Sequence, residues 1–236
     1  MKKKLIRLLV LFVFIGSFGF SELYAWSAPA TTTLNATKDT FVRVGSDIDF
    51  DTLTAPDYYG YNLRIRNSGG TNDLIAFIEF DLSTVTGSVS EAVLQLNCNS
   101  VTSAITVQAY ELTTAPYSWP NANDSGLTGL NCPAIGNAIS GASKAVSATG
   151  VFTIDLSPYI ISQYNLGNKR VTVALKALTV NASNTILVNA IESANAPKLL
   201  VKTVSETTIN VTDVYNHSVY HAGDSVTVSA NIKPAL

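Results

Sequence analysis

Short runs in which apolar and polar residues alternate recur along most of the chain, and they decide what it can fold into. Leu74, Ala76, Ile78, Phe80 and Leu82 fall on one side of a period of two, with Glu79 and Asp81 on the other. Ala92, Leu94, Leu96 and Cys98 alternate with Gln95 and Asn97, and the same pattern returns at Ile105–Ala109, Val171–Leu175, Ile186–Ala190 and Leu199–Val201. In an extended chain successive side chains point to opposite faces, so each run is a strand with one face to bury. Gly69-Gly70, Thr86-Gly87-Ser88 and Gly167-Asn168 punctuate the runs as turns. With only 14% charged residues the chain is a poor coiled coil, and at 47% hydrophobic it is too apolar for disorder. Many short strands without long helices predict an all-β fold, a sandwich or jelly roll.

The first 25 residues read as a secretory signal. Lys2-Lys3-Lys4 and Arg7 precede an apolar run, Leu8 to Phe20, and Leu23-Tyr24-Ala25 offers a small residue for cleavage. The run is short of the roughly 20 residues a membrane span needs, so no span is expected after removal. The alternative is an uncleaved N-terminal anchor. The expected location is secreted, extracellular or at a bacterial cell surface. Removal takes away four of 15 basic residues and one of 17 acidic ones, leaving a net charge near −5. That balance argues against nucleic acid or an anionic membrane as a partner. Cys98 and Cys132 are the two cysteines of the chain, and the sequence leaves open whether they are bridged or free.

The main domain is expected over 26–203. Within it, residues 116–150 show no sustained period and read as a long loop excursion. A helical turn is expected at Tyr159–Tyr164, with Ser157 as cap and Pro158 in the first position. Residues 204–236 are too few for an independent core and read as a C-terminal β-hairpin. Tyr220 to Ile232 also resembles the opening strands of a bacterial immunoglobulin-like module, the alternative being an incomplete second module.

Five stretches in order carry a wider resemblance. They are Lys38-Asp39-Thr40-Phe41-Val42-Arg43; Ala76 to Ser83 leading into Glu91 to Leu96; Thr128-Gly129-Leu130-Asn131-Cys132-Pro133; Gly150 to Ser157; and Glu192 to Leu199. Over Lys38 to Val201 the chain resembles a DNRLRE-type domain, the group that includes carbohydrate-binding module family 96. The second stretch, with its Phe-Asp-Leu-Ser followed by Ala-Val-Leu-Gln-Leu, is the most specific. The resemblance implies a jelly-roll β-sandwich that binds an acidic or neutral glycan, alginate being the best-known kind.

The residues offer their own candidates. Both histidines, His217 and His221, lie in the tail, so the main domain cannot assemble a Ser-His-Asp or Cys-His centre. A lyase reading lacks a histidine there for the same reason. Carboxylate-pair hydrolysis among Glu79, Asp81, Asp155 and Glu192 is formally open, but Asp81 and Asp155 each precede Leu-Ser and suit turn bonding. No enzyme is expected. Arg43, Arg64 and Arg66 come from neighbouring strand regions, and Lys176 and Arg170 could extend them; guanidinium groups bind carboxylates in two-point fashion, which suits uronic acids. The alternative is that Arg43 and Arg66 pair internally with Asp39, Glu79 or Glu192. Tyr58, Tyr59, Tyr61, Tyr117 and Trp119 flank turns and could stack on pyranose rings or plug the ends of the sandwich. Asp47, Asp49, Asp51 and Asp57 cluster in one loop, either as a structural calcium site or as a solvated acidic loop. The reading is a non-catalytic polysaccharide-binding module for an alginate-like uronate or a neutral glycan. Its rival is a spacer or adhesin module that self-associates or meets neighbouring modules of a surface assembly.

Overall fold

The computed structural model describes residues 23–26, 29–50, 62–204 and 206–209. The basic and apolar leader, Asp51, Asp57, Tyr58, Tyr59, Tyr61, both histidines and the tail beyond Ile209 lie outside the described residues. The elements are β1 (Leu23–Trp26), β2 (Ala30–Arg43), β3 (Asn62–Ile65), β4 (Leu74–Asp81), β5 (Ser88–Val101), β6 (Ile105–Leu112), β7 (Ile135–Val146), β8 (Gly150–Asp155), α1 (Ser157–Asn165), β9 (Arg170–Ala177), β10 (Ile186–Asn189), β11 (Lys198–Val204) and β12 (Glu206–Ile209). β1 and β12 pair only with each other. Among the described residues no helix is long and apolar enough to cross a membrane.

The remaining strands pair antiparallel in two layers, the all-β sandwich that the alternating runs predict. In the first layer β10 and β11 follow one another along one edge of β5, and β8 takes the other edge. β3 pairs with β10, and residues 30–35 of β2 pair with β11. The second layer runs β2, β4, β9, β6, β7. β2 thus belongs to both layers. Its register slips where Ala36 faces Phe80 and Lys38 faces Glu79, leaving Thr37 as the extra residue. A bulge of this kind bends and twists a strand, which lets it turn the corner between layers. The Thr37 hydroxyl donates to Glu79 Oε1 at 3.1 Å and so gives the buried Glu79 carboxylate a partner.

Ile78, Phe80, Leu94, Leu96, Ile154, Val173 and Leu199 fill the space between the layers. Full burial of side chains of this size stabilises by about 1.5–3 kcal/mol each. β5 alternates buried and half-buried residues, so its layer covers one face only. β4 is buried at every residue but the last. Both of its faces are covered because residues 113–134 fold across the outside of the second layer. Trp119 and Leu127 pack there on Val42, Ile75, Phe77 and Ala174 as a second core.

That arrangement corrects the expectation of a loop excursion over 116–150. The segment supplies a core and then β7, a twelve-residue strand. Its pairing with β6 shifts register twice, so its buried residues recur at intervals of three and four instead of two. α1 stands where expected, with Pro158 in its first turn, but Ser157 does not cap it. The Ser157 hydroxyl accepts the Ala92 N–H at 3.0 Å and fastens the helix start to β5. Asp155 and Asp81 do bond their own turns, each accepting the N–H two residues on at 2.8 Å. Both cysteines are free. Cys98 belongs to the core between the layers and Cys132 packs on the second core, so a sheet separates them.

Candidate functional site

Leu74, the first residue of β4, gathers two of the predicted arginines. Arg43, the last residue of β2, is its register partner on one edge. Arg66, just past β3, bridges it on the other, with reciprocal backbone hydrogen bonds of 3.0 and 2.9 Å. The two arginine backbones are therefore two strand spacings apart, about 10 Å. Arg64 lies two residues earlier on β3, and its guanidinium stands 5.9 Å from the centroid of the Phe41 ring. Phe41 in turn stacks on Phe50 at 4.5 Å. The segment bearing Tyr58, Tyr59 and Tyr61 joins Phe50 to Asn62 along the chain.

Each arginine also serves its own loop. Arg43 Nη2 donates to Ser46 Oγ at 3.4 Å, and Arg66 Nη2 donates to the Asn72 carbonyl at 2.9 Å. Among the described residues the buried Arg66 Nε–H has no hydrogen-bond partner. Among the described residues neither Arg43 nor Arg66 is in an ion pair; the pair formed there is Lys202 with Glu91, on β11 and β5. The carboxylates once open to them are engaged elsewhere, Glu79 by Thr37 and Asp39 by the Ile191 N–H at 3.0 Å.

Lys176 and Arg170 do not extend this group. Lys176 shares a face of β9 with Ala174, which lies in the second core, whereas Arg43 alternates with Val42 and faces the other way. Its ammonium lies 5.5 Å from the centroid of Tyr110. Arg170 pairs with Asp81, at the opposite end of β4 from Leu74.

Trp119, expected either to stack on a pyranose or to plug the end of the sandwich, is buried. The ring is 8% exposed, its Nε1–H donates to Thr172 Oγ1 at 3.3 Å, and Lys38 Nζ stands 5.7 Å above it. Tyr117 meets it edge-on at 6.3 Å and is half-buried. Burial, with Cys132 alongside, raises the Tyr117 phenol above its usual range. A ring with one face in a core and the other under an ammonium has no free face for a pyranose. In a segment without periodicity, core aromatics and binding aromatics look alike.

Of the acidic loop, Asp47 and Asp49 are described. Asp49 Oδ2 accepts the Gly126 N–H at 2.7 Å, which holds the covering segment in place. Among the described residues Asp39, Asp124 and Glu192 come together, with one oxygen of each within 4.8 Å of the others. Burial, reinforced by the charge of Asp49, pushes Asp124 up against the pull of Lys38, and burial with Asp124 beside it pushes Glu192 up. An all-oxygen donor set is the kind calcium takes. These residues come from β2, the covering segment and the β10–β11 connection, so no local motif marks them. Tyr110 was likewise missed, because nothing in its own strand pattern distinguishes a ring at the edge of a core.

The family model for carbohydrate-binding module family 96 matches residues 30–203, from the first residue of β2 to the penultimate residue of β11. The chain belongs to carbohydrate-binding module family 96. A comparison with curated proteins gave no match. As a member of this family the domain is a binding module whose partner is a carbohydrate. Three of the four carboxylates named as a formal hydrolytic set are spent otherwise: Glu79 is buried under Thr37, and Asp81 and Asp155 bond their turns.

Proposed function

We propose that this family 96 module binds a uronate polysaccharide at the end of the sandwich where Arg43 and Arg66 flank Leu74, with Arg64 beside them. The observation that carries the reading is that Arg43 and Arg66 hold charges no described carboxylate neutralises. A guanidinium with unused N–H donors pairs well with a carboxylate, and charge-assisted bonds of this kind are the strong ones. Tyr58, Tyr59 and Tyr61, carried on the segment that ends beside Arg64, would supply ring faces. The module acts outside the cell, delivered by the leader, and does no chemistry on the polymer. Calcium belongs to the same proposal, with Asp39, Asp124 and Glu192 as its donors in place of the aspartates at 47–57.

The spacer reading draws on one observation, that Arg43 and Arg66 already close the loops at Ser46 and Asn72. The two readings part in a binding assay against alginate, pectin, xylan and cellulose. Retention by the uronate polymers, weakened by salt and by Arg66→Gln, is the expected result; a folded sample that no polymer retains supports the spacer.

A further inference from the structure

Lys176 was expected beside the arginines and stands on the opposite face of its sheet, so its charge needs a separate account. From the geometry we infer a second carbohydrate contact on the outer face of β6, β7 and β9, formed by Lys176 and Tyr110, for the same class of acidic polysaccharide. The inference rests on the carbohydrate-binding reading above, but not on the arginine end.

The outer face is laid out by register. One row runs Thr40, Phe77, Ala174, Tyr110, Ala138 across five strands; a second runs Lys176, Gln108, Ser143. Neither row contains a carboxylate. The covering segment packs on the β2, β4 and β9 part of the first row, where Phe77 and Ala174 are buried. It gives out at Tyr110, which is half-buried at the rim of that core, and beyond it Ala138 and Ser143 are exposed. A half-buried ring therefore borders the exposed small side chains of Ala138 and Ser143 on β7, between which the strand bulges. Gln108 offers no competing group, since its side-chain amide is buried and donates to the carbonyls of Ala109 and Ile139 at 2.7 and 2.9 Å.

Lys176 is held here by the ring and not by an anion. Its ammonium sits 5.5 Å from the Tyr110 centroid, and among the described residues it is in no ion pair. A cation resting on an aromatic face keeps its outward N–H donors for a further acceptor. A uronate carboxylate would take those donors, while the apolar side of the pyranose lies against the ring edge and Ala138. A pyranose unit in an extended polymer is close in length to the strand spacing of about 4.8 Å, so a chain crossing β9, β6 and β7 would meet one residue per strand. Sugars bound on opposite faces of the sheet would give the module two contacts with a polymer, which raises retention without raising either affinity.

The test uses the full chain and a uronate oligosaccharide too short to reach both places, with stoichiometry read by native mass spectrometry and titration calorimetry. Two bound per chain are expected, falling to one in Lys176→Gln and to one in Arg66→Gln. Retention of Lys176→Gln by the long polymer should fall about fivefold, the loss of one modest ionic contact. Lys176→Arg, which keeps the charge, should restore the second equivalent; failure to do so in a folded protein counts against the inference. One equivalent, lost in Arg66→Gln and untouched in Lys176→Gln, overturns the second contact and leaves the arginine proposal standing. One equivalent lost only in Lys176→Gln overturns the arginine end and keeps this one. No binding by a folded wild-type chain overturns both.

Discussion

At the scale of the residue, the titrating groups divide into two sets with opposite consequences. Asp124 and Glu192 are raised in the folded protein, by burial first and by their acidic neighbours next. Their contribution to stability is present below the unfolded carboxylate range and is lost as pH rises through the raised folded values. Asp73 and Asp81 are lowered. For Asp73, burial works against the shift but is outweighed by the N–H and hydroxyl of Ser68 and the N–H groups of Gly70 and Gly69. For Asp81 the N–H and hydroxyl of Ser83 dominate, against a smaller burial effect, with Arg170 assisting. Their contribution is present above the unfolded range and is lost as pH falls through the lowered values. Thermal unfolding without divalent ions should therefore show stability rising as pH falls from neutral through the raised values of Asp124 and Glu192, and falling again as pH drops through the lowered values of Asp73 and Asp81; a monotonic fall from neutral pH would contradict the burial of the carboxylate cluster. If calcium occupies that cluster, millimolar calcium should raise Tm at pH 7 and chelator should remove the gain, and Asp124→Asn should abolish the calcium response. Gly129 gives a second prediction. A Cβ there would lie 1.8 Å from the Arg43 carbonyl and 3.0 Å from the Ser46 N, so Gly129→Ala should cost about 1–3 kcal/mol in denaturant unfolding, as overpacking does.

At the scale of the element, legibility followed periodicity. β4, β5, β6, β9, β10 and β11 were readable because each places apolar residues at alternate positions on the face that packs in the core between the layers. β7 was not, because two register shifts spread its buried residues. The covering segment was misread for a different reason: Trp119 and Leu127 are buried by tertiary contact with a sheet whose outer face the sequence does not show to be covered. The arginines were legible as a group because Arg64 on β3 and Arg66 just past it are two residues apart, but the meeting of Arg66 with Arg43 across Leu74 depends on register alone. Trp119→Ala should thus cost about 3–5 kcal/mol in stability, as loss of a buried large side chain does, while folded material keeps its glycan retention; loss of retention in a folded Trp119→Ala protein would restore the stacking role. The cysteines make a matching test. Burial raises both thiols above their usual range, so a thiol reagent should titrate two free groups on unfolding and react slowly, or not at all, in the native state.

At the scale of the whole molecule, the sandwich uses its two layers differently. The first leaves one face to solvent, and the second is covered outside by residues 113–134 over β2, β4 and β9 and as far as Leu112 and the rim at Tyr110 on β6. Folding therefore removes the aromatic ring with the largest stacking surface from the candidate site and leaves cations: Arg43 and Arg66 at one end, Lys176 on the outer face. Among the described residues these cations stand outside ion pairs, and a guanidinium or ammonium in that state favours an anionic polymer over a neutral one. The most direct test is the salt dependence of retention on a uronate polymer, compared between wild type and the Arg43→Gln/Arg66→Gln double variant after both are shown to be folded. The account predicts wild-type retention that weakens steadily with salt and a double variant whose retention is at least about tenfold weaker at low salt, with a shallower salt slope. Equal retention and equal slope in the two proteins would contradict it.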